Sequence, residues 1–383
     1  MYQTPNLRQD TAKLYAPPET VHPTIRVRQD LQRARETKNP LTGFGVVTGN
    51  EAELLTLGEF DIAYLSGWRE AAKHPLPDRS LYGSQDSVPW ALAIQDAINR
   101  TRHYFFHHSG KVLRSPFLMV DVEAGFGDKE QVYNLAYLLS SQTETVIIHL
   151  ENQHPFLKAC GHQIGYENVG GKKMKEPKLI IPRDQFIKKL IASQDAAYVG
   201  AKDSHKPETP LTLARSDSPD GILEDGTRTT LQDAIDDLIA AHEEAGVLIG
   251  WAEFNNTEMR DPLTLAEKVL KRCPDMYGLF FNVSPNKYTE QHPVRSKPLA
   301  EAGYVGQFST IPLHVIIQRE MARFNREFRN EPFEAVIKIF DRAREQGMFE
   351  EYDGFLKGQS SVGTDWWRTL RQNLDDMLIN NVK

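Results

Sequence analysis

The chain has 383 residues, 40% hydrophobic and 25% charged, the proportions of a globular protein long enough to bury a core without disulfide or metal staples. Forty-five basic against fifty-two acidic residues give a net charge of −7, which excludes a non-specific nucleic-acid binder with its dense basic surface. No window approaches the length of apolar run that spans a membrane, and Met1 to Asp30 hold no apolar signal core.

Residues 1–40 read as an N-terminal arm and one exposed helix, with the basic run Arg26 to Lys38 as a solvated face. Eight short apolar runs follow: Gly43 to Thr48, Ile62 to Ser66, Phe117 to Val122, Thr145 to Leu150, Leu211 to Ala214, Val247 to Trp251, Leu279 to Val283 and Val305 to Thr310. Near-continuous apolar runs of this length suggest strands buried on both faces. Helical patterns lie between them, at Val88 to His107, Lys129 to Ser140, Arg183 to Val199, Thr230 to Glu244 and Pro262 to Lys271. Alternating strands and helices imply a parallel sheet, and eight strands close a (β/α)8 TIM-type barrel, here over residues 41–314. Residues 315–383 read as a helical extension with Trp366-Trp367 and the stripe Leu370 to Ile379. That stripe needs apolar cover, which predicts an oligomer.

Polar residues gather where the runs end: Ser66-Gly67-Trp68, Asp121 and Glu123, Glu151, Arg215 and Asp217, Glu253, Asn282 and Ser284, and Thr310. The C-terminal ends of its strands are where a β/α barrel builds its active site. Asp121 and Glu123 stand at i and i+2, so a strand puts both on one face. Such a pair is either a surface feature or a seat for a hard cation such as Mg²⁺, which prefers oxygen ligands and keeps several waters. Glu151 and Asp78 are further oxygen donors. Cys160 sits between Lys158 and Gly161-His162, in company that raises thiol reactivity; a structural thiol is the alternative. Cys273, at a helix end before Pro274, is read as having no catalytic role. Two cysteines make no disulfide framework, and with a C-terminus lacking a peroxisomal tripeptide they point to the cytoplasm.

Several motifs, in this order, resemble isocitrate lyases: Ser66-Gly67-Trp68, Pro77 to Tyr82, Asp121 to Gly127, Lys158 to His162, Ala214 to Asp217, Asn282 to Pro285 and Gln307 to Thr310. The resemblance, to the isocitrate lyase and phosphoenolpyruvate mutase superfamily, covers about Thr42 to His314. It implies a barrel dependent on Mg²⁺ (or Mn²⁺), in a homotetramer that exchanges C-terminal helices. It implies that Asp121 binds the metal directly and that Asp78, Glu123 and Glu151 bind it through water. It assigns Cys160 as general acid on a lid loop around 154–178, with His162 beside it and Tyr64 as candidate acceptor of the hydroxyl proton. Ser66, Gly67, Trp68 and Arg215 match glyoxylate contacts. Gly161, His162, Asn282, Ser284 and Thr310 match the rest of the substrate shell. His149 belongs either near the metal or in the core.

The implied reaction is retro-aldol cleavage of a 2-hydroxy tricarboxylic acid, isocitrate, to glyoxylate and succinate, as in a glyoxylate bypass. The resemblance implies that Trp251, Phe308 and Thr310 match the Trp, Phe and Thr that line the substrate pocket of isocitrate lyases, leaving little room for a further methyl. Because one methyl is worth only about 1–3 kcal/mol, they favour isocitrate over 2-methylisocitrate without excluding it. Ala159, Asn152 and Asn286 depart from the family pattern, and Gln163 to Lys178 is a longer loop than usual, read as a modified lid or a surface insertion. These departures motivate a second reading, a relative acting on 2-methylisocitrate or oxaloacetate. A barrel that has lost catalysis is the third.

Overall fold

A computed structural model describes residues 21–160, 166–167, 173–174, 177–254, 259–283 and 294–347, without the side chains of His107, His108, Tyr166, Glu167, Lys173 and Met174. Gly161, His162, Ser284, Asn286, Trp366-Trp367 and the stripe Leu370 to Ile379 lie outside the described residues, as does the arm 1–20.

Eight parallel strands close a barrel in chain order: β1 (Leu41–Val46), β2 (Ile62–Leu65), β3 (Phe117–Asp121), β4 (Thr145–Glu151), β5 (Leu211–Ser216), β6 (Ile249–Ala252), β7 (Gly278–Asn282) and β8 (Tyr304–Ser309). Closure runs through β1 and β8, with Leu41 opposite Gly306 and Phe44 opposite Ser309. All eight expected strands are present. Helices α1 (Pro23–Thr37), α2 (Gly49–Leu57), α3 (Gly67–Lys73), α4 (Ser87–Ser109), α5 (Lys129–Gln142), α6 (Arg183–Asp203), α7 (Leu231–Ala245), α8 (Arg260–Arg272), α9 (Ser296–Ala302), α10 (Pro312–Asn330) and α11 (Pro332–Glu345) complete the fold.

Local chemistry sets the helix starts. Thr48 and Glu51 form a capping box on α2, Thr230 and Asp233 another on α7, so each helix begins with its first amides satisfied. Gly246 ends α7 in the left-handed conformation that glycine adopts without strain.

α1 corrects the sequence reading of an exposed helix. Its stripe Val27, Leu31 and Ala34 is buried among the strand-start residues Leu41, Phe117, Leu211 and Ile249, so the helix closes the floor of the barrel. Part of its basic run also holds that floor. Arg28 donates to the Thr209 carbonyl at 2.6 Å, Arg35 to Pro274 at 2.7 Å, and the Arg26 guanidinium lies 4.5 Å from the centre of the Phe117 ring. The helical spacing of Val27, Leu31 and Ala34, and not the charge run, marks the buried face.

The chain forms two compact units. Among the described residues, 21–97 and 115–313 hold the barrel, and the other unit comprises 98–114 and 314–347. α10 buries none of its residues and α11 only Ala335. No described helix is long and apolar enough to cross a membrane.

Candidate active site

Period-two alternation carries each strand's inward face from apolar at the floor to polar at the top. β3 climbs Phe117, Met119, Asp121; β4 climbs Ile147, His149, Glu151; β5 climbs Leu211, Leu213, Arg215. β2, β6, β7 and β8 end likewise at Tyr64 and Ser66, Trp251, Asn282 and Thr310. Their upper residues line one cavity: Tyr64, Ser66, Trp68, Asp78, Asp121, Lys158, Cys160, Arg215, Trp251, Asn282, Thr310 and Ile311. Ten residues singled out in the sequence therefore meet in one place. Phe308 does not line the cavity. It lies behind it, edge-on to Tyr64 at 5.0 Å and to Trp251 at 5.2 Å, where it fixes both rings.

Asp121 is held from three strands' worth of donors. Its Oδ2 accepts from the Tyr64 hydroxyl at 2.7 Å and the Gly67 amide at 3.0 Å; its Oδ1 accepts from the Glu123 amide at 2.9 Å and lies 3.0 Å from His149 Nδ1. Burial pushes its carboxyl up, but His149, Lys158 and Tyr64 together hold it below the ordinary range. Burial lowers the His149 pKa against the pull of Asp121, which favours a neutral ring. His149 is thus both buried and at the site, since its Nδ1 is also 3.0 Å from the Tyr64 hydroxyl. Burial pushes the Tyr64 phenol well above its usual value, so it stands as a donor.

Glu123 adopts a left-handed φ of 56°, which turns its carboxylate back over Gly67. A Cβ on Gly67 would meet Glu123 Oε1 at 2.0 Å, so any side chain there must displace the Glu123 carboxylate. Tyr82 donates to the same oxygen at 2.6 Å.

Lys158 was quoted in the sequence only as part of the cysteine motif. The structure puts its ammonium among the carboxylates. It pairs with Asp78 at 2.8 Å, with Glu123 in close contact, and lies 3.9 Å from Glu151. These carboxylates raise the Lys158 pKa well above normal despite its burial. Burial in turn pushes Glu123 up to about 7, and neighbouring Asp121 and Asp78 add to this against the pull of Lys158. Burial likewise pushes Glu151 well up, against Arg215 and Lys158.

Among the described residues no three His, Cys, Asp or Glu side chains converge into a ready-made metal cage. The donor set nevertheless fits a hard divalent cation. Four carboxylates (Asp78, Asp121, Glu123, Glu151) face two cations among the described residues, Lys158 and Arg215, and the excess negative charge adds to burial in raising Glu123.

Arg215 lies beside Glu151, with Nη1 to Oε2 at 3.0 Å, and both Nε and Nη2 reach Asp217 at 2.9 Å. Its guanidinium stacks 4.4 Å from the Trp251 ring centre. Asp217 also accepts from Lys178 at 3.0 Å. Lys178, at the end of the loop read as a modified lid or a surface insertion, is buried beneath Asp217. Asn152, a departure from the family pattern, is satisfied in full. Its Nδ2 donates to Ser216, Ser218 and Asp237, and its Oδ1 accepts from the Asp217 amide at 2.8 Å. The sequence marked the strand-end position of Asp217 but gave no role to Lys158 or Lys178, since an isolated lysine in a polar loop carries no spacing signal.

Cys160 is half-buried on the cavity wall, two residues from Lys158. The backbone there is fixed by Gln153, which accepts from the Ala159 amide at 3.0 Å and donates to Glu151 at 3.2 Å. Cys273 is buried at a helix end, its thiol pushed up to about 11 by burial, in keeping with an inert role.

No family model matches the chain. An isocitrate lyase of Salmonella typhimurium is 26% identical over 322 residues, covering 72% of this chain and 67% of that protein. A crystal structure of 2,3-dimethylmalate lyase, described as a PEP mutase/isocitrate lyase superfamily member, superposes with a TM-score of 0.59 at 17% identity, covering 82% of this chain and 89% of that one. Oxaloacetate acetylhydrolase gives 0.58 at 16% identity, covering 83% and 96%. In the order of its motifs and in its closed eight-stranded barrel, the chain is similar to members of the isocitrate lyase and phosphoenolpyruvate mutase superfamily.

Proposed function

We propose that the chain is a Mg²⁺-dependent carbon–carbon lyase that cleaves isocitrate to glyoxylate and succinate. The observation that carries this reading is the placing of Cys160 on the same cavity as the carboxylate cluster, Arg215, Asn282 and Thr310. A thiol acid, a cation seat and anion-binding groups then face one small volume, as a retro-aldol on a polycarboxylate requires. Relatives named isocitrate lyase support the substrate.

Asp121, Asp78, Glu123 and Glu151 would hold the metal, which when bound supplies charge stabilisation for the 2-hydroxyl and adjacent carboxylate oxygens. Arg215 offers its guanidinium to the glyoxylate carboxylate and is kept charged by Asp217 and Glu151. Asn282 and Thr310, joined at 3.3 Å, present amide and hydroxyl groups to the succinate end. Tyr64 takes the hydroxyl proton by passing its own to a neighbour, and the groups in reach are Asp121 and His149. As the C2–C3 bond breaks, its electron pair stays on C3, and the Cys160 thiol delivers a proton there to give succinate. Trp68, Trp251 and Ile311 exclude water from the carbanion.

A second reading, action on oxaloacetate or 2-methylisocitrate, is favoured by the barrel's likeness to an oxaloacetate hydrolase. Comparing kcat/KM for the three acids tests between them. The expected result is a preference for isocitrate of about tenfold or more, near 1.4 kcal/mol. A preference for either other acid overturns the isocitrate reading.

A further inference from the structure

We propose that Lys158 is a built-in counter-ion that occupies the metal's seat, so that binding of the divalent cation requires the Lys158 ammonium to withdraw and shifts Cys160 with it. The proposal deepens the lyase reading and rests on a metal binding at these carboxylates.

Three observations carry it. The ammonium touches Asp78 and Glu123 and lies 3.9 Å from Glu151, so it sits among three of the four carboxylates expected to hold the metal. Asp121, the fourth, already accepts from Tyr64, Gly67 and the Glu123 amide and abuts His149, so most of its acceptor sites are committed within the protein. The cavity left beside Lys158 is only about 60 Å³, room for a few waters and too little for a metal with a polycarboxylate.

Cation and ammonium therefore contend for the same oxygens. Two unshielded positive charges this close in a buried site repel strongly, so both cannot stay. Lys158 and Cys160 are two residues apart on one segment, tethered through Gln153 to Glu151. Withdrawal of the ammonium is thus transmitted to the thiol. Without metal, the lysine keeps the buried carboxylates neutralised and the acid out of register. With metal, the lysine turns to the cavity mouth, where an anionic substrate enters.

The test is Mn²⁺ binding to the whole protein, followed by electron paramagnetic resonance, together with thiol labelling by dithiobis(nitrobenzoic acid). Wild type, Lys158→Met and Lys158→Arg are compared without substrate. Removing the competing ammonium should tighten Mn²⁺ binding by about tenfold or more, because the wild type pays for an uncommitted site. Lys158→Arg, which keeps the charge, should bind no tighter than wild type. Saturating Mn²⁺ should change the Cys160 labelling rate in wild type and leave Lys158→Met unchanged; Cys273→Ser serves as background. Equal affinity in wild type and Lys158→Met, or a labelling rate that ignores metal in wild type, overturns the proposal alone. No Mn²⁺ binding by wild type or by a folded Lys158→Met overturns it together with the lyase reading.

Discussion

At the scale of single residues, the site depends on close approach. Gly67 sits under the Glu123 carboxylate while its amide donates to Asp121 at 3.0 Å. A methyl group there must displace Glu123, whose left-handed backbone leaves it little freedom. Gly67→Ala is expected to keep the fold and to weaken Mn²⁺ binding by about tenfold or more, read by titration. Unchanged metal affinity would show that Glu123 plays no part in holding the cation. Much of this site was legible in the sequence, because carboxylates, Arg215, Asn282 and Thr310 each follow an apolar run by a fixed step. Lys158 was not, since its partners come from three separate strand-end loops and only folding brings them together.

At the scale of elements, α3 carries a charge with no counterpart in the strand pattern. Glu70 is buried, neither of its oxygens accepts a hydrogen bond, and Lys73 lies 3.8 Å away. Burial pushes its carboxyl up to about 7, with Lys73 and Arg69 pulling the other way. The folded pKa is above the unfolded one, so the stabilising contribution is complete below the ordinary carboxylate range and is lost as pH rises through about 7. Glu70→Gln removes that loss. Relative to wild type it should gain on the order of 2 kcal/mol between about pH 5 and about pH 8 in urea unfolding. A difference that stays constant across that range would contradict the assignment. The barrel strands were legible because both faces of each are apolar. The short helices α2, α3 and α9 were not: they span only 9, 7 and 7 residues, too few turns for a helical period to stand out. α1 was misjudged because its charges outnumber its three buried apolar side chains, Val27, Leu31 and Ala34, although those three repeat at helical spacing.

At the scale of the whole molecule, one floor and one mouth divide the labour. α1 and the strand starts supply the packed base, and the strand ends with the loops that follow them supply the groups assigned a chemical role. α10 and α11 bury almost nothing, and Ile316, Met321, Phe333, Ile337 and Phe340 are exposed on them. The expectation of a homo-oligomer is read from Trp366-Trp367 and the stripe Leu370 to Ile379, outside the described residues; the exposed faces of α10 and α11 add further apolar surface that a second copy would cover. The central claim is that a thiol acid and a cation seat act together on one 2-hydroxy acid. It is tested most directly by glyoxylate release from threo-isocitrate with Mg²⁺ and with EDTA, for wild type and Cys160→Ser. The account predicts release that needs the metal and falls by about a hundredfold or more in the variant. Release that survives EDTA, or a Cys160→Ser enzyme as active as wild type, would contradict it.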